Sequence, residues 1–253
     1  MSEPGKRAYR GRRAAVPLLV LPGALGIADG GGAVARMLEP ARPVVHFDYG
    51  SEDRVGPLLG RAVAAMDAAG ADRFDILGVS IGGWFAQCLA ARHPSRVRRI
   101  VLAHSFVLRG GDAWRFRLAL RLWPLLPERL LRAGIRARGR RALRPLRTLS
   151  EDGYRAVLRQ IEAKLAERAA LAALAAQQEV ILDSLSPPPP KPDAAMPILI
   201  IEPEDDALIG PGDRARLRRH FPDARVVRLE GAGHIGALVR PRELAEAVDR
   251  FLR

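Results

Sequence analysis

One stretch restricts the possible folds more than any other: Phe74-Asp75-Ile76-Leu77-Gly78-Val79-Ser80-Ile81-Gly82-Gly83-Trp84. It opens as a short apolar run of strand type, turns through a G-x-S-x-G pattern and leads directly into the helical segment Trp84 to Arg92. A serine at so sharp a strand-to-helix turn has a strained backbone. Neighbours without Cβ let the chain approach closely while Oγ projects past the sheet edge. The helix N-terminus that follows offers partial positive charge and free N–H groups to an anion forming there. The plainer alternative is a glycine-rich turn whose hydroxyl caps a helix.

The rest of the chain supplies a sheet for this turn to stand on. Apolar runs predict strands at Val16 to Leu21, Val44 to Phe47, Phe74 to Gly78, Arg99 to Ala103, Ile198 to Ile201 and Val226 to Leu229. All are short and rich in Val, Ile and Leu, as strands buried on both faces are. Helical stretches such as Gly56 to Ala69 separate them, and Pro211 and Pro241 sit where a first helical turn begins. The alternation predicts an α/β fold, a mostly parallel sheet of about six strands flanked by helices. It stops after Ala103. Helices are then expected at Ala113 to Trp123, Pro127 to Ala137 and Glu151 to Asp183, with Pro124, Pro127 and Pro145 breaking the pattern. Pro187 to Pro190 form a stiff strap back to the sheet. The expected organisation is one α/β core in two parts, residues 1–104 and 194–253, with a helical cap over 105–193 inserted between the fourth and fifth strands.

Charge belongs mainly to that cap. The 253 residues carry a formal net charge of +13. Between Arg109 and Arg147 there are 12 Arg against Asp112 and Glu128, or +10. Lysine occurs only at Lys6, Lys164 and Lys191, so arginine-rich codon bias accounts for much of the excess, and a solvated helix face is the simplest reading. The functional versions are an anionic group on the substrate, or peripheral contact with a membrane or a protein through the cap. No recognition motif or aromatic stacking platform accompanies the charge, which argues against nucleic acid. The single cysteine, Cys88, excludes an intramolecular disulfide framework and favours the cytoplasm. The apolar run after Arg12-Arg13 imitates a secretion signal, but cleavage there would remove the first strand, and a signal is not expected.

A nucleophilic hydroxyl needs a base, and the base needs an orienting carboxylate, in the chain order Ser, acid, His. After the fifth strand comes Glu202-Pro203-Glu204-Asp205-Asp206, and after the sixth Glu230-Gly231-Ala232-Gly233-His234. Both lie just past the carboxyl ends of parallel strands, where open α/β sheets place their ligands. Ser80, Asp206 and His234 are therefore the expected catalytic residues. The amides of Ala24 and Ile81 are the expected oxyanion donors, with Leu25 as the alternative to Ala24. Leu25, Trp84 and His104 are candidate pocket residues. His93 and His220 are expected to end helices as partly cationic rings, His46 to be a hydrogen-bonded core residue, and Cys88 to pack. No metal or cofactor is called for.

Over nearly its whole length the chain resembles the α/β-hydrolase superfamily. The resemblance rests on Leu21-Pro22-Gly23, Gly78 to Gly83, Ala91-Arg92-His93-Pro94 before Ile100-Val101-Leu102, Glu204-Asp205-Asp206, and Gly231 to His234. Pro203 stands where that superfamily usually has the glycine of Gly-x-x-Asp, which favours Asp206 and leaves Asp205 as the alternative acid. Pro22-Gly23 replaces the more usual His-Gly. The chain looks closest to the maspardin-like branch, through Leu21-Pro22, Gly26-Ile27-Ala28-Asp29, Gly83 to Gln87, His104-Ser105-Phe106 and Leu122-Trp123-Pro124. The superfamily likeness implies an esterase, lactonase, thioesterase, C–C bond hydrolase or acyltransferase without naming the substrate. With the Ser80, Asp206 and His234 order it makes a serine hydrolase of a small or medium acyl ester, thioester or related substrate the first expectation. The maspardin likeness implies a non-catalytic binding or adaptor protein.

Overall fold

A computed structural model describes residues 15–24, 30–186, 189–193 and 195–253. Leu25, the Gly26 to Asp29 segment, the Arg12-Arg13 region and half of the proline strap lie outside the described residues. Six strands form one parallel sheet: β1 (Leu18–Leu21), β2 (Val44–His46), β3 (Phe74–Val79), β4 (Val97–Ala103), β5 (Ile198–Pro203) and β6 (Arg225–Leu229). Their order is β2-β1-β3-β4-β5-β6, so the winding direction reverses between β1 and β3. Such a switch opens a crevice at the carboxyl ends of the strands.

Strand side chains alternate between two cores, as the two-residue period requires. Leu19, Leu21, Ile76, Ile100 and Ile200 face a layer containing α2 (Val55–Ala68), α3 (Ile81–Arg92) and α8 (Ala170–Ser184). Leu18, Val20, Leu77, Val101 and Leu199 face the other layer, with α1 (Gly30–Leu38) and α11 (Pro241–Leu252). The four inner strands are mostly buried, whereas the edge strands are not: β2 is partly exposed and β6 largely so. His46, on β2, accordingly faces solvent opposite Glu39 and is not a core residue.

Between β4 and β5 run α4 (Ala113–Leu122), α5 (Glu128–Ala142), α6 (Arg144–Leu149), α7 (Glu151–Ala166) and α8. The expected helix over Glu151 to Asp183 is thus two, interrupted at Glu167 to Ala169, where neither proline nor glycine stands. Packing explains the break. Ile161 and Leu165 of α7 join a small cluster with Leu143, Leu146 and Val239, whereas Val180 and Ile181 of α8 enter the main core. Pro145 occupies the first turn of α6, where its missing N–H costs nothing. Pro211 and Pro241 likewise begin α9 (Pro211–His220) and α11, the latter just after the short helix α10 (Gly236–Val239).

At the amino end of the sheet Asp75 is completely buried. Both of its oxygens accept from Arg98, at 2.9 and 2.7 Å, and Arg42 approaches to 3.4 Å. Arg98 and Arg99 also donate to the carbonyls of Leu252 and Phe251, which fastens α11 beneath the sheet. Removing one partner of a buried pair strands the other charge. Asp75→Ala is expected to lower the unfolding free energy in urea by about 3–5 kcal/mol; a loss below about 1 kcal/mol would mean that solvent reaches Arg42.

Candidate active site

The turn after β3 takes the strained form that its sequence suggests. Ser80 has φ 53° and ψ −118°, a region costly for any residue with a side chain. Its amide donates to the carbonyl of Ala103, and its carbonyl accepts from the Gly83 amide and the Ser105 hydroxyl. Close approach sets the geometry. A Cβ on Gly82 would lie 2.1 Å from the carbonyl oxygen of Leu21, so only glycine lets α3 start this near the end of β1. The Ser80 side chain caps no helical amide, which removes the plainer reading of the turn.

Ser80 Oγ lies 3.0 Å from Nε2 of His234. Nδ1 of the same ring lies 2.9 and 3.1 Å from the two carboxylate oxygens of Asp206. Three side chains separated by up to 154 positions therefore form one continuous line. Asp206 Oδ1 also accepts from the amides of Leu208 and Ile209, so the loop after β5 fixes the carboxylate. Burial pushes its pKa up, but the His234 contact and the two amides outweigh that and hold it below the ordinary carboxylate value. Asp205 points elsewhere, accepting from the amide of Gly233 at 2.9 Å. It holds the histidine loop rather than the histidine ring.

A cavity of about 660 Å3 opens over this line, bordered by Ala24, Ser80, Ile81, His104 and His234. As first residue of α3, Ile81 has an amide with no carbonyl one turn back to bond. Gly23 and Ala24 meet the cavity from the end of β1, and the Tyr49 hydroxyl donates to the Pro22 carbonyl at 2.6 Å, bracing that loop. Phe116, Ile135, Leu174 and Ile181 of the inserted helices supply apolar walls. Five charged residues also border the cavity. Arg216 pairs with Asp112 and Asp213, but among the described residues Arg115 and Arg138 have no carboxylate partner.

Trp84 is not a pocket residue. It is fully buried below the site, where its indole N–H donates to the Ser184 hydroxyl at 2.9 Å and ties α3 to α8. His104, by contrast, borders the cavity with φ 50°, and its ring meets that of His234 edge-on at 6.3 Å. Gly236 permits this placement, since a Cβ there would fall 2.5 Å from the ring. Among the described residues neither ring nitrogen of His104 has a partner. Burial, and then the neighbouring His234, push its pKa down to about 3, against the pull of Asp206.

The remaining candidates fall outside the site. His93 and His220 do end α3 and α9, but burial lowers both pKa values, so their rings are less cationic than free histidine. Cys88 is buried, and burial pushes its thiol up to about 12, as suits a packing role. Tyr49, Ser105, Asp213 and Arg216 shape the site without any motif that marks them in the sequence.

Known proteins resemble the chain in the same terms. The family described as alpha/beta hydrolase fold matches residues 47–241. The pimeloyl-[acyl-carrier protein] methyl ester esterase of Aromatoleum aromaticum is 29% identical over 226 residues, covering 86% of this chain and 88% of that protein. A hydrolase from Pseudomonas aeruginosa superposes with a TM-score of 0.71 at 23% identity, over 95% of this chain and 91% of its own. The enol-lactonase from Burkholderia xenovorans superposes with a TM-score of 0.69 at 19% identity, over 96% and 93%. The two superpositions speak to the fold, while the family match spans most of the chain: it belongs to the alpha/beta hydrolase fold family and is an alpha/beta-fold hydrolase.

Proposed function

We propose that the protein is a serine hydrolase that cleaves an ester, thioester or related acyl bond through an acyl-enzyme. The observation that carries this reading is the 3.0 Å contact between Ser80 Oγ and His234 Nε2, with Asp206 on the far side of the ring. In the first half of the reaction Oγ attacks the acyl carbonyl and its proton passes to Nε2. The charge on the carbonyl oxygen is received by the amides of Ala24 and Ile81. Nε2 returns the proton to the departing alcohol or thiol. Water then enters, gives a proton to the same nitrogen and bonds to the acyl carbon; the bond to Ser80 Oγ breaks, Nε2 returns the proton to Oγ, and the acid leaves. Asp206 stays ionised throughout and stabilises the imidazolium. A different nucleophile in place of water makes the same residues an acyltransferase.

The cavity narrows the substrate. Its walls are mainly apolar and its volume of about 660 Å3 suits a small or medium acyl group. Arg115 and Arg138, on the cavity wall, favour a substrate that carries an anionic group. The relative in Aromatoleum aromaticum is named for an acyl methyl ester, which is compatible with this class. His104 borders the cavity as a neutral ring with both nitrogens buried, so it adds shape and no charge to the pocket. The non-catalytic, maspardin-like reading has the basic inserted helices in its favour and the assembled Ser80, His234 and Asp206 line against it.

Labelling by a fluorophosphonate probe tests the central claim. The native protein is expected to react, and Ser80→Ala to lose both labelling and about a thousandfold or more of its turnover on chromogenic esters. A native protein that neither reacts nor hydrolyses any ester in a chain-length series would leave the binding-module reading standing.

The neutral state of His104 has its own signature. Below pH 6.5 the unfolded chain protonates this residue, while the folded ring resists down to about 3. Its contribution to stability is therefore fully present above pH 6.5 and is lost as pH falls toward the folded value. His104→Phe removes that proton uptake, so its urea stability should fall less steeply than the parent's between about pH 6.5 and pH 4. Parallel slopes for the two proteins would show that the ring is hydrated and titrates normally.

A further inference from the structure

The inserted helices present a second surface, on the side of α4 away from the cavity. Among the described residues nine large apolar side chains stand exposed, and six of them are Trp114, Leu118, Leu122, Leu125, Leu126 and Leu130. The first three recur every four residues along α4 and so share one face. Leu125, 74% exposed, and Leu126 continue it through the turn that follows, and Leu130 lies in the first turn of α5. The opposite face of α4 is satisfied: Ala113 is buried in the main core, Phe116 packs against it, and Phe116 and Ala119 border the cavity. The apolar stripe is therefore not a by-product of a poorly packed helix.

Arginines flank the stripe on both sides. At 100° per residue Arg115 falls on one border, and Arg117 and Arg121 on the other, with Arg129 beyond the turn. Among the described residues none of these four has a carboxylate partner. The two acids in the stretch are already engaged, Asp112 by Arg216 and Glu128 by Arg132. The surface thus combines unpaired cations with exposed leucine and tryptophan, the chemistry of helices that lie in the headgroup layer of a membrane.

We propose that the outward face of α4, extended through Leu125 and Leu126, docks on an anionic phospholipid bilayer. The leucines and Trp114 enter the boundary between headgroups and acyl chains, while the stems of Arg117, Arg121 and Arg129 lie along it with their guanidinium groups among lipid phosphates. A second copy of the chain is a poorer occupant, because a symmetric contact would bring the same unpaired arginines together. Attachment is peripheral. Among the described residues no helix is long and apolar enough to cross a membrane. Docking sets α4 between the bilayer and the cavity, so one helix forms the inner wall of the site and its membrane face. The proposal concerns binding alone and stands apart from the reading of Ser80.

Co-sedimentation of the full protein with vesicles tests it. Vesicles of equal parts phosphatidylcholine and phosphatidylglycerol should capture the protein at low salt, at least about tenfold better than phosphatidylcholine alone, and release it as salt rises. Trp114 emission should shift to the blue on binding, and Trp114→Phe should abolish most of that shift. Leu118→Asp combined with Leu125→Asp, and separately Arg117→Glu combined with Arg121→Glu, should each weaken binding about tenfold or more with unchanged circular dichroism and melting temperature. All four positions are exposed, so both variants are expected to fold. The proposal is overturned by failure to bind anionic vesicles, by equal binding to neutral ones, or by parent-like binding of either variant. It is equally overturned if Leu118→Asp with Leu125→Asp converts a dimer to a monomer, which would assign the face to a second copy.

Discussion

The carboxyl edge of the sheet depends on one contact, the approach of the α3 amino terminus to the end of β1. Gly82 lies against the Leu21 and Pro22 carbonyls with no room for a side chain. That approach forces Ser80 to a positive φ and turns its hydroxyl away from the helix it would otherwise cap. Backbone strain of this kind costs about 1–3 kcal/mol and persists only where surroundings over-determine it. Here they do, through the Ala103 carbonyl, the Gly83 amide and the Ser105 hydroxyl. The same contact places the Ile81 amide and the β1 loop on one cavity. Position of the hydroxyl and position of the candidate oxyanion donors are therefore one property of the fold.

Ionic groups divide between the two ends of the sheet. At the amino end the Asp75 carboxylate is enclosed by Arg42 and Arg98, while Arg98 and Arg99 bind the carbonyls of α11. At the carboxyl end Asp206 keeps its charge in a buried place because two amides and one imidazole point at it. His104, with no such partners, cannot hold a charge beside it. Two imidazoles in edge contact thus differ in kind: one stands between a hydroxyl and a carboxylate, the other is confined to its neutral form. The difference arises from surroundings and not from ring chemistry: burial first, and then His234 itself, keep His104 neutral.

What the sequence makes legible follows from what is periodic or steric. The six strands announce themselves as short apolar runs, and the Ser80 turn by glycines that nothing else could replace. The order of Ser80, Asp206 and His234 is legible because parallel strands deliver successive loops to one edge. Trp84 misleads because α3 has no polar stripe: ten of its twelve residues are buried, so sequence does not tell which side meets the cavity. Asp205 and Asp206 are neighbours of equal chemistry, and only the turn through Leu208 and Ile209 separates ring from loop. The break between α7 and α8 has no breaker residue because two different cores, not local propensity, impose it. His46 is misplaced for a related reason, since a strand's rank in the sheet is set by pairing, and β2 pairs only with β1.

The inserted helices carry the other half of the protein's character, and one helix shows how. Along α4, a residue's angular position decides its environment: Phe116 and Ala119 face the cavity, and Trp114, Leu118 and Leu122 face outward with arginines at the borders. A solvated surface helix needs polar residues on its outer face, because exposed leucine gains nothing from water. Codon bias toward arginine explains abundant charge, but it does not explain leucine and tryptophan at four-residue intervals between those charges. Nor does packing, since the inner face of α4 already meets the core and the cavity. The outer stripe therefore asks for an environment that is apolar and anionic at once, on the far side of a helix whose inner face borders the cavity.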